Sequence, residues 1–149
     1  MGSLILPSSG LIYTDAQIAI YTVERFPTYA PLLTPLWMGA QAGNFTVVSS
    51  ELTLLETLVV PLRIADAMLV NDFENLWQRA NTRLLPITES ILREAARLRA
   101  TLPALKTPEA LHAATALLHS CALFVTNDAA FKRVPGLSVT LLDEVLAAP

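Results

Sequence analysis

Two rhythms of apolar and polar positions run along this chain. Short apolar runs rich in β-formers stop abruptly at polar residues, and longer stretches with helical spacing lie between them. The first run is Leu11-Ile12-Tyr13-Thr14, halted by Asp15. Phe45-Thr46-Val47-Val48 runs into Ser49-Ser50, and Leu84-Leu85-Pro86-Ile87 carries a proline suited to an edge strand. Ala122 to Val125 ends in Thr126-Asn127-Asp128, and Ser138 to Leu142 is the last run. Each run predicts a strand.

The intervening segments predict helices. Ala16 to Arg25 turns Ile18, Tyr21 and Val23 partly inward and is stopped by Phe26-Pro27. Pro31 and Pro35 open a second helix that reaches Ala42-Gly43. Ser49-Ser50 caps a third over Glu51 to Leu62, and Asp66 caps a fourth to Arg79 with Leu69, Phe73, Leu76 and Trp77 on its apolar side. Thr88 caps a fifth to Leu102, with Ile91, Ala95 and Leu98 inward and Glu89–Arg93 as an exposed pair. Thr107-Pro108-Glu109 starts a sixth with an N-cap threonine, and it runs to Ser120. A turn or short helix over Asn127 to Phe131 and a last helical turn or two over Asp143 to Ala148 complete the chain. Strands separated by helices predict an α/β fold, a parallel sheet with helices on both faces.

Composition narrows the class. Of 149 residues, 53% are apolar and 15% charged, which predicts one core-rich domain over residues 1–149, with residues 1–9 as a candidate flexible segment. No uninterrupted apolar run approaches the roughly 18 residues of a membrane span. Leu4-Ile5-Leu6 lacks the basic flank and apolar length of a signal peptide, and Leu6 occupies the Ser/Thr position of a myristoylation signal. The single cysteine, Cys121, permits no intrachain disulfide and fits a reducing cytoplasm. A net charge of −3 argues against a broad electrostatic grip on nucleic acid, although a metal ion can offset a local acidic cluster in a nuclease. No Walker or Rossmann glycine spacing is present.

The predicted topology brings four acids to one edge. In a parallel sheet, a helix that follows a strand begins at the C-terminal edge, and a helix that feeds the next strand also has its N-terminus there. Asp15 and Asp128 directly follow strands. Glu56 lies one to two turns into the helix after the second strand, in a leucine-rich setting that predicts burial, and Glu109 lies in the first turn of the helix feeding the fourth. Each has a plainer reading: Asp15 and Asp128 as caps, Glu56 in a capping box with Thr53, Glu109 serving the helix dipole. Four carboxylates at one sheet edge repel, however, and oxygen-only ligands suit Mg²⁺ or Mn²⁺ rather than zinc.

Four segments in this order carry a resemblance: Ile12-Tyr13-Thr14-Asp15, Ser50 to Glu56, Leu105 to Ala116, and Phe124 to Asp128. The chain resembles PIN domains, and within them the VapC-like toxins of bacterial toxin–antitoxin pairs. The resemblance implies a three-layer α/β/α fold with strand order 3-2-1-4-5 and Mg²⁺- or Mn²⁺-dependent cleavage of RNA phosphodiesters. It makes Asp15, Glu56, Glu109 and Asp128 the catalytic and metal-binding acids, with Thr126 and Asn127 as supporting residues. It also implies a cognate antitoxin whose peptide occupies the acidic groove, and a homodimer. The chemistry expected is in-line attack of water on phosphorus, leaving a 5′-phosphate and a 3′-hydroxyl. One departure stands out: the family usually carries Asp where this chain has Glu109, one methylene longer.

Other groups add less. His112 and His119, seven apart on one helix, and Cys121 bring too few ligands for zinc and read as structural, with His112 one turn from Glu109 at the rim of the site. Arg93, Arg97 and Arg99 read as a solvated face, while Lys106, Lys132 and Arg133 flank the acidic motifs as candidate phosphate contacts. Trp37, Trp77, Phe73 and Tyr29 read as core, or as a protein interface where exposed. A receiver-like signalling domain needs paired acids after strand one, an Asp after strand three and a Lys after the last strand, and none of these is present. The competing reading is a non-catalytic PIN-like binding module with a decayed acidic site.

Overall fold

The computed structural model describes residues 2–149. Five strands form one parallel sheet: β1 (Leu11–Thr14), β2 (Thr46–Ser50), β3 (Thr82–Leu85), β4 (Leu123–Thr126) and β5 (Val139–Leu141). Their order is β3-β2-β1-β4-β5, as the resemblance implied. β1 is central, with Tyr13 paired to Val48 on one side and to Phe124 on the other. Among the described residues, seven helices connect and cover the strands: α1 (Ala16–Val23), α2 (Ala30–Gln41), α3 (Leu52–Arg63), α4 (Ala67–Leu76), α5 (Glu89–Thr101), α6 (Thr107–Leu118) and α7 (Leu142–Ala147). A short 3₁₀ helix, Ala129–Arg133, follows β4.

The inner strands β1, β2 and β4 are buried on both faces, and alternate residues feed opposite layers. Tyr13, Val48, Leu85 and Phe124 pack against Ile91, Ala95 and Leu98 of α5 and the alanines of α6. Tyr13 stacks on Phe124 with ring centroids 4.8 Å apart, and Phe124 meets Phe131 at 4.5 Å. Burying a phenylalanine side chain this fully stabilises by roughly 1.5–3 kcal/mol. On the other face, Ile12, Val47 and Val125 pack against Ile18, Tyr21, Leu33, Leu36 and Leu142. Ala110, Ala113, Ala114 and Ala116 let α6 lie close against the sheet, which fixes where its N-terminus emerges.

Several boundaries differ from expectation. β3 lies two residues earlier than the apolar run predicted, because Ser50 of β2 pairs with Leu85, so Pro86 falls just past the strand. α4 ends at Leu76 rather than Arg79. β2 extends through Ser49 and Ser50, and the Ser50 hydroxyl still accepts from the Leu52 N–H at the start of α3. The N-cap of α6 is Lys106, not Thr107, which becomes the first helical residue. The Thr107 hydroxyl accepts instead from Arg99 Nη1 at 2.7 Å, while Arg99 Nε donates to the Leu105 carbonyl. Arg99 therefore ties down the α5–α6 loop, whereas Arg93 and Arg97 pair with Glu89 and Glu94 on the solvated face.

Phe73 and Trp77 are core, and Trp37 and Tyr29 are half-buried. Trp37 meets Trp77 edge-on and donates Nε1–H to the Thr22 hydroxyl at 2.9 Å. Before β1, Leu4 is buried against the α1–α2 layer, and Gly2 N–H donates to the Val145 carbonyl. Among the described residues, no helix is long and apolar enough to cross a membrane.

Candidate active site at the C-terminal edge of the sheet

Asp15 leaves β1 at its C-terminal end and N-caps α1, where Oδ1 accepts from the Ile18 N–H. Its other oxygen accepts from the Thr126 hydroxyl at the end of β4, at 2.5 Å. The side chain is 95% buried, with only 5% of the residue's surface exposed. Burial pushes its carboxyl above the usual carboxylate range, and the Glu56 charge adds to this; His112 and the hydrogen bonds from Thr126 and Ile18 oppose it. Among the described residues, none of the ion pairs involves Asp15.

Asp128 sits beyond β4, exposed, and caps the 3₁₀ helix through the Ala130 N–H at 2.9 Å. Its own N–H donates to the Thr126 hydroxyl, so Thr126 links the two aspartates. Asn127 bridges elements: Oδ1 accepts from the Asp143 N–H at the start of α7, and Nδ2 donates to the Tyr21 hydroxyl of α1.

Glu56 is half-buried rather than buried as its leucine-rich surroundings predicted. α3 lies at the rim and turns Thr53, Thr57 and Pro61 inward, leaving Leu55 exposed. Glu56 does not form a capping box; its Oε1 meets His112 Nε2 at 2.6 Å. His112 is buried in α6, and its Nδ1 meets the Tyr13 hydroxyl at 2.6 Å. Burial, with the Asp15 charge second, holds the Tyr13 phenol well above its ordinary pKa, so it keeps its proton.

Glu109 turns partly back on its own helix, where Oε2 accepts from the Lys106 N–H at 3.0 Å. Glu109 thus sits in the first turn, as the helix-dipole reading expected, and in addition caps the Lys106 N–H. Even so, Glu109 lines the same cavity as Asp15, Glu56 and Asp128, a cleft of about 530 Å³ that also touches Tyr21, His112 and Asn127. All four acids expected from the sequence thus face one space.

Their donor chemistry suits a hard divalent cation: several carboxylates, one of them buried without a cationic partner. The side chains are not gathered around a point. Among the described residues, no group of three or more His, Cys, Asp or Glu is arranged to hold a metal ion. Glu56 and Glu109 each spend one oxygen on a protein donor and keep the other.

The cationic residues near the cleft differ in their engagement. Lys132, in the 3₁₀ helix, pairs with Glu144 of α7, while Lys106 and Arg133 take part in no ion pair among the described residues. His119 ends α6 as its C-cap. Cys121 precedes β4, and burial pushes its thiol up to about 12, so neither completes a zinc or nucleophile site. His112, expected as structural and at the rim of the site, is buried and lines the cleft, and the sequence did not indicate its contacts with Glu56 and Tyr13. The available signal was a single imidazole in a run of small residues, one helical turn from Glu109.

Comparison with solved structures gives the same architecture. The fold is similar to VapBC2 from Rickettsia felis bound to a promoter DNA fragment, with 18% identity and a TM-score of 0.69 over 88% of this chain and 98% of the matched one. It is similar to DNA-bound VapBC from Salmonella typhimurium, with 16% identity and a TM-score of 0.68 over 88% and 97%. VapBC-1 from nontypeable Haemophilus influenzae gives 22% identity and a TM-score of 0.64 over 89% and 98%. No curated protein matches the chain by sequence. The family model described as PIN domain matches residues 12–137, a span that runs from β1 to the segment before β5 and contains all four acids. The chain belongs to the PIN domain family.

Proposed function

We propose that the protein is a divalent-metal-dependent endoribonuclease and the toxin of a VapBC-like toxin–antitoxin pair, working in the cytoplasm. The observation that carries this reading is the convergence of Asp15, Glu56, Glu109 and Asp128 on one cleft in a PIN-family chain. These four residues would hold Mg²⁺ or Mn²⁺. When bound, such an ion polarises a phosphodiester and lowers the pKa of the attacking water.

The chain's own residues do the remaining work. Thr126 orients the Asp15 carboxylate, and Asn127 pins α1 and α7 around it. The cleft is open, which suits an extended polymer entering from solvent. Lys106, Lys132 and Arg133, which flank the acidic motifs in sequence, are the cations assigned to its phosphates, Lys132 by exchanging its contact with Glu144. Leu55, Val59 and Leu62 form an exposed apolar stripe on α3, continued by Ile64 and Met68, which supports binding to protein partners: a cognate antitoxin and a second copy of the chain.

The test is cleavage of bulk bacterial RNA by the purified protein with Mn²⁺ or Mg²⁺. Asp15→Asn is expected to abolish it, and chelator-resistant cleavage would argue against the reading. A second reading, a non-catalytic PIN-like binding module, is favoured by the engagement of Glu56 and Glu109 with protein donors. Calorimetry separates the two: no Mn²⁺ binding at millimolar concentration, with RNA or protein binding retained, selects the binding module.

A further inference from the structure

We propose that His112 is a positioning residue that holds the Glu56 carboxylate at the acidic cleft, and that Tyr13 fixes the imidazole that does so. The proposal rests on the metal-dependent reading above.

Glu56 enters the cleft from the rim on a long, half-exposed side chain. Without an anchor, such a chain samples many rotamers, and ordering it costs entropy when a cation must be met. His112 supplies the anchor. Its imidazole is 3% exposed within the alanine-rich stretch of α6, where an unsatisfied ring nitrogen is costly. Both nitrogens are satisfied, each at 2.6 Å, and by residues of different elements: Tyr13 on the central strand and Glu56 on α3.

The direction of this chain of hydrogen bonds follows from chemistry. An ionised carboxylate can only accept, so Nε2 carries the proton toward Glu56. In the neutral ring, Nδ1 is then bare and accepts from the Tyr13 phenol. Tyr13 itself cannot turn away, because its ring is stacked on Phe124 in the core. Thus the buried core holds Tyr13, Tyr13 holds the imidazole through Nδ1, and the Nε2–H of that imidazole holds Glu56. Partners of this kind, one step behind a metal ligand, commonly govern affinity.

A purely structural histidine would make the same bonds with no effect on cation binding, so cation binding is the discriminating measurement. Mn²⁺ alone is titrated calorimetrically into the full chain as wild type, His112→Leu, His112→Gln, Tyr13→Phe and Asp15→Asn, with folding checked by thermal melting. His112→Leu is expected to weaken Mn²⁺ about 10- to 100-fold. His112→Gln places an amide nitrogen near the Nε2 position and should recover most of that loss; Tyr13→Phe should lose several-fold. Nitrogen NMR of ¹⁵N-histidine protein should find His112 protonated on Nε2 and bare on Nδ1, with His119→Gln used for assignment. Should His112→Leu not fold, Tyr13→Phe and the NMR tautomer decide.

If His112→Leu and Tyr13→Phe bind Mn²⁺ like wild type while Asp15→Asn binds none, the proposal falls and the metal-site reading stands. If the wild type itself binds no Mn²⁺ at millimolar concentration, both fall. A proton found on Nδ1 overturns the role given to Tyr13.

Discussion

The Thr126 hydroxyl donates to Asp15 Oδ2 at 2.5 Å across the β1–β4 pair, and the same oxygen accepts from the Asp128 N–H. One buried hydroxyl therefore serves both strand-end aspartates. Thr126→Val keeps the shape and removes the hydroxyl, leaving the buried Asp15 oxygen short of a partner. Hydrogen bonds to charged groups contribute about 1.5–3 kcal/mol. Urea denaturation should register a loss of that size, with an unchanged m-value; a loss below roughly 0.5 kcal/mol would mean the bond is not formed in solution.

Asp15 sets a pH dependence of unusual sign for a carboxylate. Its folded pKa is raised by burial, so the folded state binds the proton more tightly than the unfolded chain. Its contribution to stability is fully present below the unfolded value and is lost as pH rises through the folded one. Wild type should therefore lose stability relative to Asp15→Asn as pH rises from about 4 toward neutrality. Asp15→Asn, which buries no charge, should melt higher than wild type at neutral pH. Adding Mn²⁺ should raise the melting temperature of wild type and not of the variant.

Glu109 divides its carboxylate between the cleft and the Lys106 N–H. Glu109→Asp is too short to keep that backbone bond and should free its carboxylate for the cleft. We expect tighter Mn²⁺ binding and faster RNA cleavage, at a cost of roughly 0.3–1.5 kcal/mol in stability. Glu109→Gln keeps the capping geometry and should retain stability while losing cleavage. Equal Mn²⁺ affinity in all three proteins would remove Glu109 from the site.

Cys121 offers a test of packing independent of function. With its thiol pushed up to about 12 by burial, almost no thiolate forms at pH 8. A thiol reagent should react slowly with the native protein and rapidly once urea unfolds it. Prompt reaction under native conditions would mean that the segment between α6 and β4 opens locally.

The strands and the edge where the acids meet were legible because a parallel sheet leaves little choice: Asp15 and Asp128 follow apolar runs that can only be buried strands. The features that escaped depend on tertiary partners. β3 took its register from Ser50 rather than from its own apolar run, which displaced Pro86 from the strand. Leucines around Glu56 predicted burial, yet α3 lies at the rim, exposing Leu55 and leaving Leu52, Leu54 and Leu58 half-buried. His112 had no visible partner in the sequence, since Tyr13 lies 99 positions away and Glu56 lies 56 away. The helix cap moved from Thr107 to Lys106 because Arg99 claimed the Thr107 hydroxyl.

The central place of β1 also governs when the cleft comes into being. Asp15 and Thr126 are separated by 111 positions, and the cleft wall includes Phe131 beyond them. A growing chain that has reached Leu118 already holds three of the four acids but has no β4 against which to set them. Until the closing strands are made, the carboxylates remain scattered on separate elements, and a fragment broken off before that point carries the residues of the site without the site.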